Sequence, residues 1–214
     1  MRRIRLRGKV MEILSLSIDR RRDGLLYYDG WDVLVGYSFI LGGARSGKSR
    51  YAEERVALLA GRTSEPVVYL ATGIVTDQEM RDRIAIHQQN RPSHWLTVEE
   101  PMDVARWLDE RQEPAIVLLD CLSLLLNNWI YAGLTDAAIE HRIGGLCRSL
   151  EAFRYDLVVV SNEVGQGIVP EYPLARRYRD ALGRLNQQVA RAAEHVIWMV
   201  AGLPLDVRKL GPEW

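Results

Sequence analysis

Gly42-Gly43-Ala44-Arg45-Ser46-Gly47-Lys48-Ser49 has the spacing G-x-x-x-x-G-K-[ST] of a loop that cradles the phosphates of a nucleoside triphosphate. Glycines at 42 and 47 open backbone angles closed to other residues, so successive N–H groups can curl around one phosphate. Lys48 places a cation on the terminal phosphates, and the Ser49 hydroxyl is a ligand for the accompanying Mg²⁺. Such a loop works between a buried strand and a helix whose N-terminal dipole attracts an anion. Both flanks are present. Val33 to Leu41 is a β-branched and apolar run, and Arg50 to Ala60 sets Ala52, Val56 and Leu59 on one helical face before Gly61.

The chain around this loop has 214 residues, 48% of them hydrophobic, which suits one domain with a short appendage. Its 28 Lys and Arg balance 28 Asp and Glu, which argues against a general polyanion binder. Cys121 and Cys147 sit among apolar residues without metal-ligand spacing, and they read as buried free thiols in a reducing, cytoplasmic compartment. No apolar stretch approaches the length of a membrane span.

Residues 1–32 differ from the domain predicted over 33–214. Arg2, Arg3, Arg5, Arg7 and Lys9 crowd the start, and Arg20-Arg21-Arg22 follow a short apolar patch. A transit peptide or a phosphate-contacting arm is one reading of such a cluster. Asp19, Asp23, Asp29 and Asp32 break the acidic-poor rule of transit peptides, so the segment reads as a basic, disordered or mis-started extension.

Downstream, Pro66 to Ala71 is a short buried strand that opens into a loop at Thr72-Gly73. Asp77 to Gln89 has helical spacing, with Met80, Ile84 and His87 on one stripe and a stop at Asn90-Arg91-Pro92. Trp95 to Glu99 alternates like a strand, and Asp103 to Glu110 is a helix. The most apolar strand, Ala115 to Asp120, ends in a carboxylate. That is the arrangement that sets an acid near phosphate-bound Mg²⁺, although Asp also ends strands as a turn former. Ser123 to Ala132 is apolar but carries Asn127-Asn128. A long helix over Thr135 to Arg154, a strand over Asp156 to Asn162, a helix over Pro173 to Ala193 and two strands within 195–207 complete the chain. Strands alternating with helices predict a mostly parallel α/β sheet with helices on both faces, and ligands beyond the carboxyl ends of its strands.

Taken in order, G-G-A-R-S-G-K-S-R (42–50), Y-L-A-T (69–72), E-M-R-D-R-I (79–84) with His87, R-P-S-H-W (91–95), L-L-D-C-L (118–122), N-E-V-G-Q-G-I-V-P (162–170) and R-D-A-L-G-R-L-N-Q (179–187) form a specific set. They resemble the bifunctional adenosylcobinamide kinase / adenosylcobinamide-phosphate guanylyltransferase family of cobalamin biosynthesis. The resemblance runs from about residue 38 to 209; the first 37 residues have no counterpart.

The resemblance implies a P-loop NTPase with a RecA-like sheet, assembled as a homotrimer in which nucleotide and histidine helix meet near a subunit boundary. It implies two reactions: a nucleoside triphosphate, ATP or GTP, phosphorylates adenosylcobinamide, and GTP then passes GMP to adenosylcobinamide-phosphate through a guanylylated histidine. His87 is the matching position; read alone, it is equally a surface or core histidine. Neutral imidazole is a competent nucleophile near neutral pH, and a phosphoramidate is reactive enough to pass GMP onward. The resemblance also carries Thr72, Gly73, Ile74, Gln88, Gln89, Asn90 and Arg91 over as nucleotide contacts, and Glu99 and Asp120 as acidic positions near the nucleotide and its metal. Arg45 is placed to stabilise charge on the transferring phosphoryl group. His94 is expected to pack between Pro92 and Trp95.

Two other classes compete. A simple small-molecule kinase would use the phosphate loop and leave His87 structural. A nucleotide switch or RecA-like DNA motor would need a base-reading N-K-x-D motif or a basic face beyond the N-terminus, and the sequence shows neither. No nucleic-acid partner is expected.

Overall fold

The computed structural model describes residues 2–6, 9–13, 36–74, 78, 81 and 92–210. The chain divides into two compact units, Met1–Leu34 and Val35–Trp214. In the first, β1 (Arg2–Leu6) pairs antiparallel with β2 (Lys9–Ile13), Arg2 opposite Ile13 and Leu6 opposite Lys9. Arginines alternating with Ile4 and Leu6 have the strand period of two.

The second unit runs β3 (Tyr37–Gly42), α1 (Lys48–Ala60), β4 (Val67–Ala71), β5 (Leu96–Glu99), α2 (Val104–Glu110), β6 (Ile116–Asp120), α3 (Leu122–Tyr131), α4 (Asp136–Ala152), β7 (Leu157–Asn162), α5 (Pro173–Ala192), β8 (His195–Val200), β9 (Leu203–Asp206) and α6 (Val207–Leu210). Its seven strands lie in the order β5-β4-β6-β7-β3-β8-β9. Every neighbouring pair is parallel except β8–β9. The helix expected over Asp77 to Gln89 lies outside the described residues, apart from helical Gln78 and Arg81.

The strands are apolar on both sides because both sides are covered. Phe39, Leu70, Leu119 and Val159 share one core cluster with side chains of α2, α3, α4 and α5. The alternate residues Ile40, Leu118 and Val158 are equally buried outside that cluster, and α1 packs on β3, β6 and β7. α1 buries Ala52, Val56 and Leu59, and α4 buries Ile139, Ile143, Leu146 and Leu150, as their spacing predicts. Each of these Val, Leu and Ile side chains contributes about 1.5–3 kcal/mol by leaving water. α4 starts where Thr135 accepts from the Ala138 N–H at 3.3 Å with Asp136 in the first turn, and α5 starts on Pro173. This is the P-loop NTPase fold with a RecA-like sheet. Among the described residues no helix is long and apolar enough to cross a membrane.

Register matters most for function. Gly42 aligns with both Asn162 and Met199, and Ala71 aligns with both Asp120 and Glu99. The carboxyl ends of β3, β7, β6, β4 and β5 therefore form one edge, along which the loop residues are displayed.

Candidate active site

The phosphate loop leaves β3 at Gly42. A Cβ there would lie 2.6 Å from Ser46 Oγ and 2.8 Å from the Met199 carbonyl, so the strand end and the loop touch through hydrogen alone. Gly43 has open space around it. Gly42→Ala should cost about 1–3 kcal/mol of stability by overpacking, whereas Gly43→Ala should melt like the parent; urea denaturation of the two variants checks the contrast.

Ser46 N–H closes the loop onto Gly43 O at 3.3 Å, and Ser46 O accepts from Gly202 N–H at 3.1 Å. Gly202 belongs to the turn between β8 and β9, where Ala201 and Gly202 both have positive φ, 51° and 82°, as a two-residue hairpin turn needs. The antiparallel hairpin thus braces the phosphate loop from the side opposite β7. Gly47 caps α1 at φ 91°, in the left-handed region where a side chain would be strained, and its carbonyl accepts from Tyr51 N–H at 2.9 Å. Exposed Arg45, at φ 57°, also takes that conformation, at a cost of about 1 kcal/mol for a residue with a Cβ. Ala44 is exposed beside it. Ser46 Oγ is buried with no hydrogen-bond partner among the described residues.

Lys48 and Ser49 begin α1, both half-buried. Lys48 Nζ donates to Gly43 O at 3.3 Å, which draws the ammonium back across the loop. Asp120 ends β6, its Oδ2 accepting from Tyr69 Oη at 2.7 Å, and the following peptide to Cys121 is cis. One strand, β7, separates β6 from β3, so Asp120 and the loop's strand are about 9–10 Å apart across the sheet. Both charges are felt at one atom. Burial, and then Asp120, push the Cys121 thiol up to about 11, while Lys48 acts in the opposite sense.

The carried-over positions fare differently. Thr72 is fully buried, with its hydroxyl donating to Cys121 O at 2.7 Å and accepting from Cys121 N–H at 2.9 Å; its carbonyl accepts from Asn128 Nδ2 at 2.8 Å. Its side chain joins β4 to β6 rather than reaching outward, which leaves half-buried Gly73 and exposed Ile74 as the accessible part of that loop. Glu99 is exposed at the end of the edge strand β5, four strands from β3, or about 19 Å across the sheet. The structure therefore brings the loop 42–49 and Asp120 together and leaves Glu99 apart. His87, Gln88, Gln89, Asn90 and Arg91 lie outside the described residues. His94 is exposed rather than packed, and Trp95 alone is buried there.

Several supporting residues escape a reading by motif. Asn186 is buried in α5, accepts from Ser161 Oγ at 2.7 Å and donates to Asn162 O at 2.9 Å, fixing the end of β7. Asn128 donates to Thr72 O and to Pro101 O, tying α3 to the loops after β4 and β5. Glu163 N–H donates to Gly42 O at 3.0 Å, which fastens the N-E-V-G loop to the phosphate loop. The available signal was a single amide on an otherwise apolar helical stripe, as with Asn186 between Leu182, Leu185 and Val189.

A glycine-capped phosphate loop on a central parallel strand, with an acid at a strand end two places away, defines a P-loop NTPase. The family follows from the rest of the chain: residues 38–207 match the cobinamide kinase / cobinamide phosphate guanyltransferase model, and the chain belongs to that family. It is 39% identical over 183 residues to the bifunctional adenosylcobalamin biosynthesis protein CobU of Escherichia coli, covering 79% of this chain and 98% of that protein. The bifunctional protein CobP of Pseudomonas aeruginosa is 41% identical over 170 residues, covering 79% and 95%. CobU of Salmonella typhimurium is 37% identical over 184 residues, covering 79% and 98%.

Proposed function

We propose that this chain phosphorylates adenosylcobinamide and then transfers GMP from GTP to adenosylcobinamide-phosphate, giving adenosylcobinamide-GDP and pyrophosphate. The observation that carries the reading is the family match over residues 38–207, phosphate loop included. In the first step the acceptor alcohol oxygen attacks the γ-phosphorus of ATP or GTP and the nucleoside diphosphate leaves. The loop N–H groups and Lys48 bear the charge that spreads over the transferring phosphoryl oxygens, with Arg45 at the loop's tip adding to it.

Ser49 and Asp120 are hard oxygen donors of the kind that hold Mg²⁺, and Tyr69 engages Oδ2 of Asp120 while leaving Oδ1 for it. When bound, Mg²⁺ neutralises charge on the β- and γ-phosphate oxygens. In the second reaction a ring nitrogen of His87 attacks the α-phosphorus of GTP, and the bond to pyrophosphate breaks. A phosphate oxygen of the acceptor then displaces the imidazole. Gly73, Ile74 and the segment Gln88 to Arg91 are assigned to the nucleotide, and a homotrimer is assigned by family analogy. Two free buried cysteines support a cytoplasmic setting.

The direct test is mass spectrometry after incubation with GTP and Mg²⁺. A GMP adduct that is acid-labile and maps to His87 is expected. A chain that phosphorylates adenosylcobinamide without ever carrying GMP would be a kinase alone.

A further inference from the structure

Between β7 and α5 the chain carries an apolar surface that neither the core nor the phosphate loop uses. Ile168 is 97% exposed, Val169 63%, Tyr172 73% and Leu174 50%. Single exposed apolar side chains are ordinary, but four large ones within the span 168–174 are not.

The segment is also tied down. At its start Glu163 N–H is bonded to Gly42 O, and the Glu163 carboxylate accepts from Gly165 N–H. At its end the Arg176 guanidinium donates to Pro170 O at 3.0 Å and to Glu171 O. Pro170 and Pro173 each fix φ. The backbone is held at both ends while its apolar side chains stay in water. A preorganised apolar surface of this kind loses little freedom when it binds.

Its position selects the occupant. β7 lies beside β3, and Glu163 follows Asn162, the residue in register with Gly42. An acceptor hydroxyl must come within about 3–3.5 Å of the terminal phosphorus to react, so the acceptor's body has to rest on surface flanking the phosphate loop. A corrinoid is a broad macrocycle fringed with methyl groups and amides, and it needs apolar surface of some breadth. We propose that residues 164–174 form the seat of the corrinoid acceptor, with Ile168, Val169, Tyr172 and Leu174 meeting the macrocycle. This rests on the function proposed above and assigns its acceptor site.

The test uses the full chain and the variants Ile168→Asp, Val169→Asp and Ile168→Leu. These side chains make so little contact with the core that folding should be retained. Adenosylcobinamide binding is measured by equilibrium dialysis with the corrinoid's own absorbance, GTP binding is measured in parallel, and assembly mass is measured by sedimentation. Each Asp variant should bind the corrinoid roughly 10- to 100-fold more weakly, with the kinase KM for the corrinoid rising in step. GTP affinity, kcat and assembly mass should be unchanged, and Ile168→Leu should match the parent. Unchanged corrinoid affinity in the Asp variants overturns the seat. So does a changed assembly mass, which would make a second copy the occupant. A parent chain that bound no corrinoid would overturn the function together with the seat, whereas a parent that binds it as well as Ile168→Asp does overturns the seat alone.

Discussion

Lys48→Ala is expected to lower phosphorylation of adenosylcobinamide and guanylyl transfer together, each by about 10²- to 10³-fold, as for loss of one preorganised charge on a reacting phosphate. The protein should stay folded. Lys48 is half-buried and, among the described residues, its Nζ donates only to Gly43 O, at 3.3 Å, so its removal forfeits about 1 kcal/mol or less. Its charge also stands at the first residue of α1, where the helix dipole disfavours a cation, so alanine recovers part of that loss. A charge kept at so unfavourable a place supports the assignment of Lys48 to the phosphates. The measurements are initial rates of both steps and a thermal melt. Loss of phosphorylation with guanylyl transfer intact would mean that the two reactions do not share the loop.

Local pattern made most of this fold readable. Val67–Ala71, Ile116–Asp120 and Leu157–Asn162 are continuous apolar runs, and such runs in a chain that alternates with helices can only be strands covered on both faces. The phosphate loop was readable because its chemistry demands particular residues at particular spacings. Strand order was not readable, since hydrophobic period is a property of a segment and order is a property of the whole sheet. That is why Asp120 and Glu99, both acids at strand ends, look alike in sequence and stand one and three strands removed from β7. Thr72 shows the same limit at a single side chain. The resemblance carries it over as a nucleotide contact, while the cross-link of its side chain to Cys121 depends on β4 and β6 being neighbours.

The largest separation of activities is expected at His87. Phosphorylation needs positioned phosphates and metal, for which Lys48, Ser49 and Asp120 are assigned, and no protein nucleophile. Guanylyl transfer needs an imidazole nitrogen to attack the α-phosphorus and hold GMP until the acceptor phosphate displaces it. Asparagine keeps a polar side chain of modest size, but its amide nitrogen has no basic lone pair to form such a bond. His87→Asn should therefore abolish the GMP adduct and slow formation of adenosylcobinamide-GDP by about four to six orders of magnitude, as for removal of a covalent nucleophile. Adenosylcobinamide-phosphate should still accumulate at the parent rate, and that intermediate is the readout that isolates the step. Equal loss of both reactions would assign His87 to the architecture of the site rather than to its chemistry. An adduct persisting in the variant would move the nucleophile to another residue.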